Sequence, residues 1–436
     1  MTLHSHPVAP AALEVSDRTR HQIALRLLPF LFLLYIVNYL DRTSLAFAAL
    51  GMSRGLGFSD RVIGLGVGAF FISYVALQIS CGRLLDRWSA RRMISATMII
   101  WGLLTALTAL VHTPGQLYLA RFALGVAEAG FFPGVILLLS HWFVRADRAK
   151  ATSNFMAAIP LSLVIGSPTA GWILSRNWFA VDGWRWLFVL EGIPAILLGI
   201  LALFFVVDHP SEAAWLTPER ALALERQLED ERSLNPRPVS AGQTLRSVTP
   251  LLLATAAFLY YFSNYAVIFW FPTILKRLSG YSDWRVGLLG AVPYSVALTA
   301  MLFNAWHSDR RHERAWHVAI PLFISAGGLL GLLCLPRSVP LTVALFSVVC
   351  IGIGVLPTFW AIPTEILSGP AAAAAVGMIN GVANFAGFAG PYAFAYLQSV
   401  TGSLRCGFLM MMVFSLTAGI LILLTPGVRQ PVRANP

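Results

Sequence analysis

The sequence predicts an all-α membrane protein, with twelve transmembrane helices in two pseudo-symmetric six-helix bundles. Three observations predict it. Of 436 residues, 57% are hydrophobic and 12% charged, whereas a soluble domain carries about 25% charged residues. Unbroken apolar stretches near the ~20 residues that cross a bilayer core recur along the chain. They are continuous rather than alternating, so they read as helices, which satisfy their own backbone groups where lipid offers no partner. Third, two unrelated features repeat at one spacing: Asp86 and Asp309 in charged loops (309 − 86 = 223), and Pro168 and Pro391 inside apolar stretches (391 − 168 = 223). A shared offset indicates duplicated halves, an arrangement that places a transport site at the interface of the halves near the membrane midplane.

In chain order, residues 1–23 form a polar N-terminal tail with no apolar core of a cleavable signal, so the first span is expected to act as the targeting signal. Six spans follow at 24–50, 61–82, 94–112, 116–142, 149–176 and 186–207, giving an N-terminal bundle over 24–207. Residues 208–247 are the longest polar stretch and read as a linker. Within it, Thr217-Pro218 marks a short charged helix, with Thr as N-cap and Pro in the first turn. Asn235-Pro236-Arg237-Pro238 breaks the chain before the next span. The second bundle, 248–426, holds spans at 249–275, 284–306, 316–335, 340–364, 373–398 and 404–425, and 427–436 form a C-terminal tail.

The net charge of +11 lies in short loops between spans and does not indicate nucleic acid. Arg83, Arg87, Arg91 and Arg92, then Arg145, Arg148 and Lys150, then Arg310, Arg311 and Arg314 follow even-numbered crossings. Basic loops mark the cytoplasmic side, so both tails are expected in the cytoplasm. The opposite loops carry fewer, among them Arg54, Arg61, Lys276, Arg277 and Arg337. Cys81, Cys334, Cys350 and Cys406 lie in or beside spans without a Cys-x-x-Cys pair, which argues against a disulfide or zinc framework. No phosphate-binding Gly-x-x-x-x-Gly-Lys-Ser/Thr loop occurs, which argues against direct use of ATP. His307 and His312 have no metal-ligand spacing and read as solvated. No cofactor or metal is expected. The linker is too short for a catalytic or output domain, which argues against an enzyme and leaves a membrane sensor remote.

Charges inside a bilayer cost a few kcal/mol each and persist where they pair or work. Asp41, Arg42, Arg121 and Glu128 are such charges. Arg121 and Glu128 are seven residues apart on one face of span four, with Gly125 between them. Two readings stand: Glu128 carries a proton with Arg121 as charge partner or gate, or the two form a static ion pair. Asp41 and Arg42 are adjacent and point about 100° apart, so they serve different partners unless span one ends there and both are solvated. Asp86, Arg87 and Arg91, with Asp309, Arg310 and Arg314, read as cytoplasmic latches between the halves, formed in one state only. Gly166-Ser167-Pro168, Gly387 to Pro391 and Pro133-Gly134 read as bends and close-packing points.

The segment Gly82 to Arg92 resembles the loop signature of the major facilitator superfamily, Gly-x-x-x-Asp-Arg-x-Gly-x-Arg-Arg, with Ser89 in place of the later Gly and hence a less favourable tight turn. More narrowly, the chain resembles the anion:cation symporter family, which includes sugar-acid, tartrate, phthalate and hydroxyphenylacetate permeases. Asn38-Tyr39-Leu40-Asp41-Arg42 carries the resemblance, as do Arg121 through Gly134, Trp186 through Pro194, Phe269-Trp270-Phe271-Pro272-Thr273 and Gly387 through Tyr392. It implies a bacterial inner-membrane carrier, acting as a monomer, that imports a small organic anion, a carboxylate, with protons. An exporter of an organic acid or drug-like compound is the alternative.

By the resemblance, Asp41 is a proton site and Arg42 holds the substrate carboxylate, a task that suits the planar guanidinium fork. Tyr39 and Tyr74 match cavity tyrosines, unless each is an interfacial belt residue. Asn264, Trp360 and Asn380 match cavity positions of the second half. Asn264 also stands at the repeat position of Asp41 (264 − 41 = 223), which leaves proton handling to the first half. Phe359 and Pro357 replace hydroxyl residues of the sugar-acid carriers and make the expected cavity more apolar, favouring an aromatic or less hydroxylated acid.

Overall fold

The computed structural model describes residues 15–85, 89–233, 247–336, 338–366 and 369–428. The first bundle consists of span one (Asp17–Leu56), span two (Asp60–Leu85), span three (Ala90–Thr108), span four (Pro114–Trp142), span five (Arg145–Met156 with Ala158–Leu174) and span six (Gly183–Phe205). The second repeats the order: span seven (Val248–Ser279), span eight (Asp283–Arg311), span nine (Ala315–Cys334), span ten (Val339–Cys350, Ile351–Val355 and Leu356–Ile366), span eleven (Gly369–Thr401) and span twelve (Arg405–Leu424). Among the described residues, eleven segments are long and apolar enough to cross a membrane, and Gly369–Thr401 stands where the remaining span is expected.

Several helices outrun their apolar stretches. Span one has 40 residues, about twice the length that a ~30 Å hydrocarbon core requires. It starts at Asp17 because the Ser16 hydroxyl caps it, and it stops at Gly57, whose φ of 69° suits glycine. Part of the expected N-terminal tail is therefore helix. Spans four, five and ten break just before prolines. The break at Ala129–Gly130 precedes Pro133, that at Ala157 precedes Pro160, and the 3-10 turn Ile351–Val355 precedes Pro357. Each proline lacks the N–H that would bond back to the preceding turn.

Small residues set the helix spacing. In the first bundle Gly102 of span three lies on the Gly192 carbonyl of span six. Between bundles, span five crosses span eight where Gly171 meets Gly287, and the Ser167 hydroxyl donates to the Gly287 carbonyl at 2.8 Å. Span two crosses span eleven with Gly64 on Ala395 and Gly68 on Phe388. The Gly166–Pro168 and Gly387–Pro391 segments thus act as close-packing points, both between the halves, with Ser167 on span eight and Gly387 on Phe71, and within one half, with Gly166 on Leu40 and Gly390 on the Phe262 carbonyl.

The linker helix Pro218–Ser233 begins at the proline the sequence indicated. Trp215, just before it, stacks on Trp142 at 5.3 Å and lies under Arg26. Asp208 accepts from the Ser89 hydroxyl and from the Arg91 amide at 2.9 Å. Ser89 has a φ of −65° and its side chain accepts from the Arg92 amide, so it caps span three. The glycine-like turn expected there is not needed. His307 departs from its reading as a solvated loop residue: it lies within span eight, half-buried, with Nδ1 2.7 Å from His317 Nε2.

Candidate functional site

Span one carries the site. Over about two turns it presents buried Asn38, Tyr39, Asp41, Arg42 and Ser44, and the 100° step between neighbours sends Asp41 and Arg42 to different places. Arg42 turns to span four. Its Nε lies 3.1 Å from Glu128 Oε1 and its terminal nitrogen donates to the same oxygen. The guanidinium is walled by the rings of Tyr39, Phe70 and Tyr74 at 5.4, 5.5 and 5.0 Å. Arg42 is 5% exposed and Glu128 0%. Such a pair is held by its geometry, since losing either partner strands a buried charge.

Asp41 turns into the first bundle, towards Thr105 of span three and within electrostatic reach of Arg121. Arg121 and Asp41 are each 0% exposed. The Arg121 guanidinium lies 4.9 Å from the Phe70 ring. Among the described residues its three nitrogens and both Asp41 oxygens have no hydrogen-bond partner, and neither has Glu128 Oε2. The four charges form two crossed pairs, Arg42 with Glu128 and Asp41 beside Arg121. Arg121 was expected beside Glu128. Seven residues also separate them by about 10 Å along the helix axis, which is why a shared face did not make them ion-pair partners.

The second bundle faces Arg42 with tyrosines. Tyr265, 4% exposed, lies within electrostatic reach of the guanidinium and packs edge-on against Phe71 of span two at 4.8 Å. Trp360 Nε1 donates to the Tyr261 hydroxyl at 3.0 Å. Asn380 Oδ1 accepts from Asn384 at 3.1 Å, and Phe388, one turn further, lies on Gly68 of the other bundle. Asn264, Trp360 and Asn380 are half-buried. Tyr39 and Tyr74 are buried against Arg42, away from a belt position. Phe359 was expected in the cavity wall; it is 1% exposed and packs on Tyr260 and Trp360. Tyr265 was missed, yet it stands at the repeat position of Arg42 (265 − 42 = 223).

Among the described residues, no latch residue forms an ion pair between the bundles at the linker end. Arg314 binds Glu365 at 3.0 and 2.7 Å and pairs with Asp309, all within the second bundle. Arg310 lies over Trp306, and the Arg91 amide serves Asp208. Asp86 and Arg87 lie outside the described residues. Among the described residues, the ion pairs between bundles lie at the opposite end: Arg277 with Asp60 and Arg54 with Asp283.

A buried ion pair at the junction of two repeated bundles, with a second pair of buried charges behind it in the first bundle, suits a carrier. A family model described as Major Facilitator Superfamily matches residues 31–391. The chain belongs to the Major Facilitator Superfamily. Its relatives there include a protein named putative tartrate transporter from Agrobacterium vitis, 38% identical over 416 residues, covering 94% of this chain and 92% of that one. A protein named quinolone resistance transporter from Acinetobacter baumannii is 34% identical over 392 residues, covering 88% and 89%. The superfamily fold is also seen in the crystal structure of a bacterial homologue of the human lysosomal transporter Spinster, described as inward-facing and unoccupied. The TM-score is 0.74 at 18% identity, covering 95% of this chain and 99% of that one. The protein is a multi-pass membrane transporter and not an enzyme.

Proposed function

We propose that this protein is a proton-coupled symporter that imports a small organic anion, of the anion:cation symporter type. The observation that carries the reading is the Arg42–Glu128 pair, buried among aromatic rings at the junction of the bundles. While Glu128 is ionised it occupies the Arg42 fork. A proton on Glu128 removes that competitor and frees the guanidinium for a substrate carboxylate, so proton and anion enter together. Asp41 is a second proton site, and Arg121 balances its charge when it is ionised. Tyr39, Tyr74, Asn264, Trp360 and Asn380 orient the remainder of the substrate, with Tyr261 and Tyr265 added from the second bundle.

The carboxylate class draws support from the relative named for tartrate. Because Phe359 is turned into the second bundle, the preference for an aromatic acid loses its ground, and hydroxy acids and sugar acids stand level with it. The linker end, richer in loop arginines, is taken as cytoplasmic, in the inner membrane of a bacterium, with the carrier acting as a monomer.

Labelled tartrate is the first probe, in vesicles with an imposed inward proton gradient. Gradient-driven accumulation that a protonophore abolishes is expected. Proton entry that drives tartrate out would overturn symport. The relative named for quinolone resistance favours a second reading, proton-coupled export, and that outcome would select it.

A further inference from the structure

Among the described residues, three carboxyl groups lie buried in the spans of the first bundle, and the mechanism above uses Asp41 and Glu128. The third is Glu191 of span six, 9% exposed. Its surroundings differ in kind. Glu128 faces Arg42, and Asp41 lies within reach of Arg121. Among the described residues no cation pairs with Glu191, and its hydrogen-bond partner is the hydroxyl of Ser44 in span one.

Spans one, three and five pack on span six. Span one presents Asp41, three residues before Ser44 and on the same face. Span three carries its charges, Arg91 and Arg92, in its first turn. The Ala158–Leu174 helix of span five carries none. In span six itself, Arg185 is turned onto the Trp184 ring at 4.2 Å and the Ala109 carbonyl. An ionised carboxylate served by one hydroxyl and no cation is a costly group within a span.

The hydroxyl has one hydrogen, and its oxygen also lies 3.1 Å from the Leu40 carbonyl. A protonated Glu191 resolves the count: Glu191 donates to Ser44 Oγ and Ser44 donates to Leu40. Asp41 lies within electrostatic reach of Glu191, and two neighbouring carboxyls resist ionising together. We propose that Glu191 is a third proton-binding site of the carrier, linked through the Ser44 face of span one to Asp41. Glu191 keeps its proton while Asp41 is ionised and can release it when Asp41 is neutral. That use in transport rests on the symport reading; the site itself does not.

Infrared spectroscopy of the purified full chain in lipid, titrated with pH and without substrate, tests the site. A protonated-carboxyl band is expected at neutral pH. Glu191→Gln removes it, Ser44→Ala shifts its frequency, and Asp41→Asn moves its loss on alkalinisation to lower pH. A spectrum unchanged by Glu191→Gln overturns the proposal, as does a band whose titration Asp41→Asn leaves in place. Should Glu191→Gln not fold, the Ser44→Ala shift decides. If the band behaves as expected while proton-driven uptake fails, the symport reading falls and the proton site stands.

Discussion

Arg277 and Asp60 meet across the bundle interface through two hydrogen bonds of 2.7 and 2.6 Å, at the end away from the linker. Their repeat counterparts meet in the reciprocal direction. Arg54 corresponds to Arg277 (277 − 54 = 223) and Asp283 to Asp60 (283 − 60 = 223), and Arg54 lies 3.5 Å from Asp283. One helical turn inward, Gly64 and Gly287 hold the same relation (287 − 64 = 223), and each lies against a helix of the other bundle. Closure at this end is thus built twice, once from each repeat, with an arginine ending one helix and an aspartate opening a helix of the other half.

These ion pairs are expected to bias closure without enforcing it. The arginine side chains are 42% and 65% exposed, and pairs of that kind contribute about 0.2–1 kcal/mol. Asp60→Asn or Asp283→Asn alone should therefore shift the balance towards an open far end by up to roughly fivefold, and the double variant by more. Paired spin labels at Ser59 and Tyr281 would report it as a longer distance. Exchanging the charges, with Asp60→Arg and Arg277→Asp together, should restore the original distance. No change in the double variant would remove the ion pairs from gating.

The glycine contacts should matter more than the charges. A Cβ on Gly287 would lie 2.5 Å from the Ser167 carbonyl and 2.9 Å from the Gly171 Cα, both backbone. Overpacking of this sort costs about 1–3 kcal/mol. It falls on the closed far end, because the contact exists only between bundles. Gly287→Ala should reduce tartrate exchange by tenfold or more while the purified protein keeps its thermal stability. Gly377→Ala, where an added Cβ meets nothing within 4 Å, should leave exchange unchanged.

Much of this was legible in the residues. Continuous apolar runs gave twelve spans, and each falls on a helix, because length and hydropathy are what a bilayer selects. Asp41, Arg42, Arg121 and Glu128 stood out for the same reason, whereas Glu191 did not. Their pairing did not, since Arg42 and Glu128 lie 86 positions apart and periodicity within one helix carries no information about its neighbour. Helix ends beyond the membrane were also invisible to hydropathy, as span one shows. The offset of 223 held more than was drawn from it: added to Arg42 it reaches Tyr265, and applied to Arg54 and Asp60 it finds the far-end pairs.

Ser89 offers a direct contrast between the sequence expectation and the structure. As a substitute for glycine in a tight turn, it should improve on replacement by Gly. As the cap of span three and a donor to Asp208, it should not. Ser89→Ala is expected to destabilise the protein by ~1 kcal/mol, and Ser89→Gly by a few tenths. Thermal unfolding of the purified variants checks the order. A stabilising Ser89→Gly would restore the glycine reading.

The Arg42–Glu128 pair allows stability and coupling to be read from the same set of variants. Removing one member of a buried pair strands the other, at about 3–5 kcal/mol, whereas removing both with residues of similar volume is often neutral. Arg42→Met should therefore destabilise the protein strongly, and Glu128→Gln less, because the amide oxygen still accepts from Arg42. The double variant should be more stable than Arg42→Met alone. Function should separate in another way. Arg42→Met and the double variant lose anion binding, since the guanidinium fork is gone. Glu128→Gln keeps Arg42 and mimics the protonated acid, so it should bind and exchange tartrate with little pH dependence but fail to accumulate it against a gradient. Gradient-driven accumulation that survives Glu128→Gln would move coupling to another carboxyl and leave this pair a structural one.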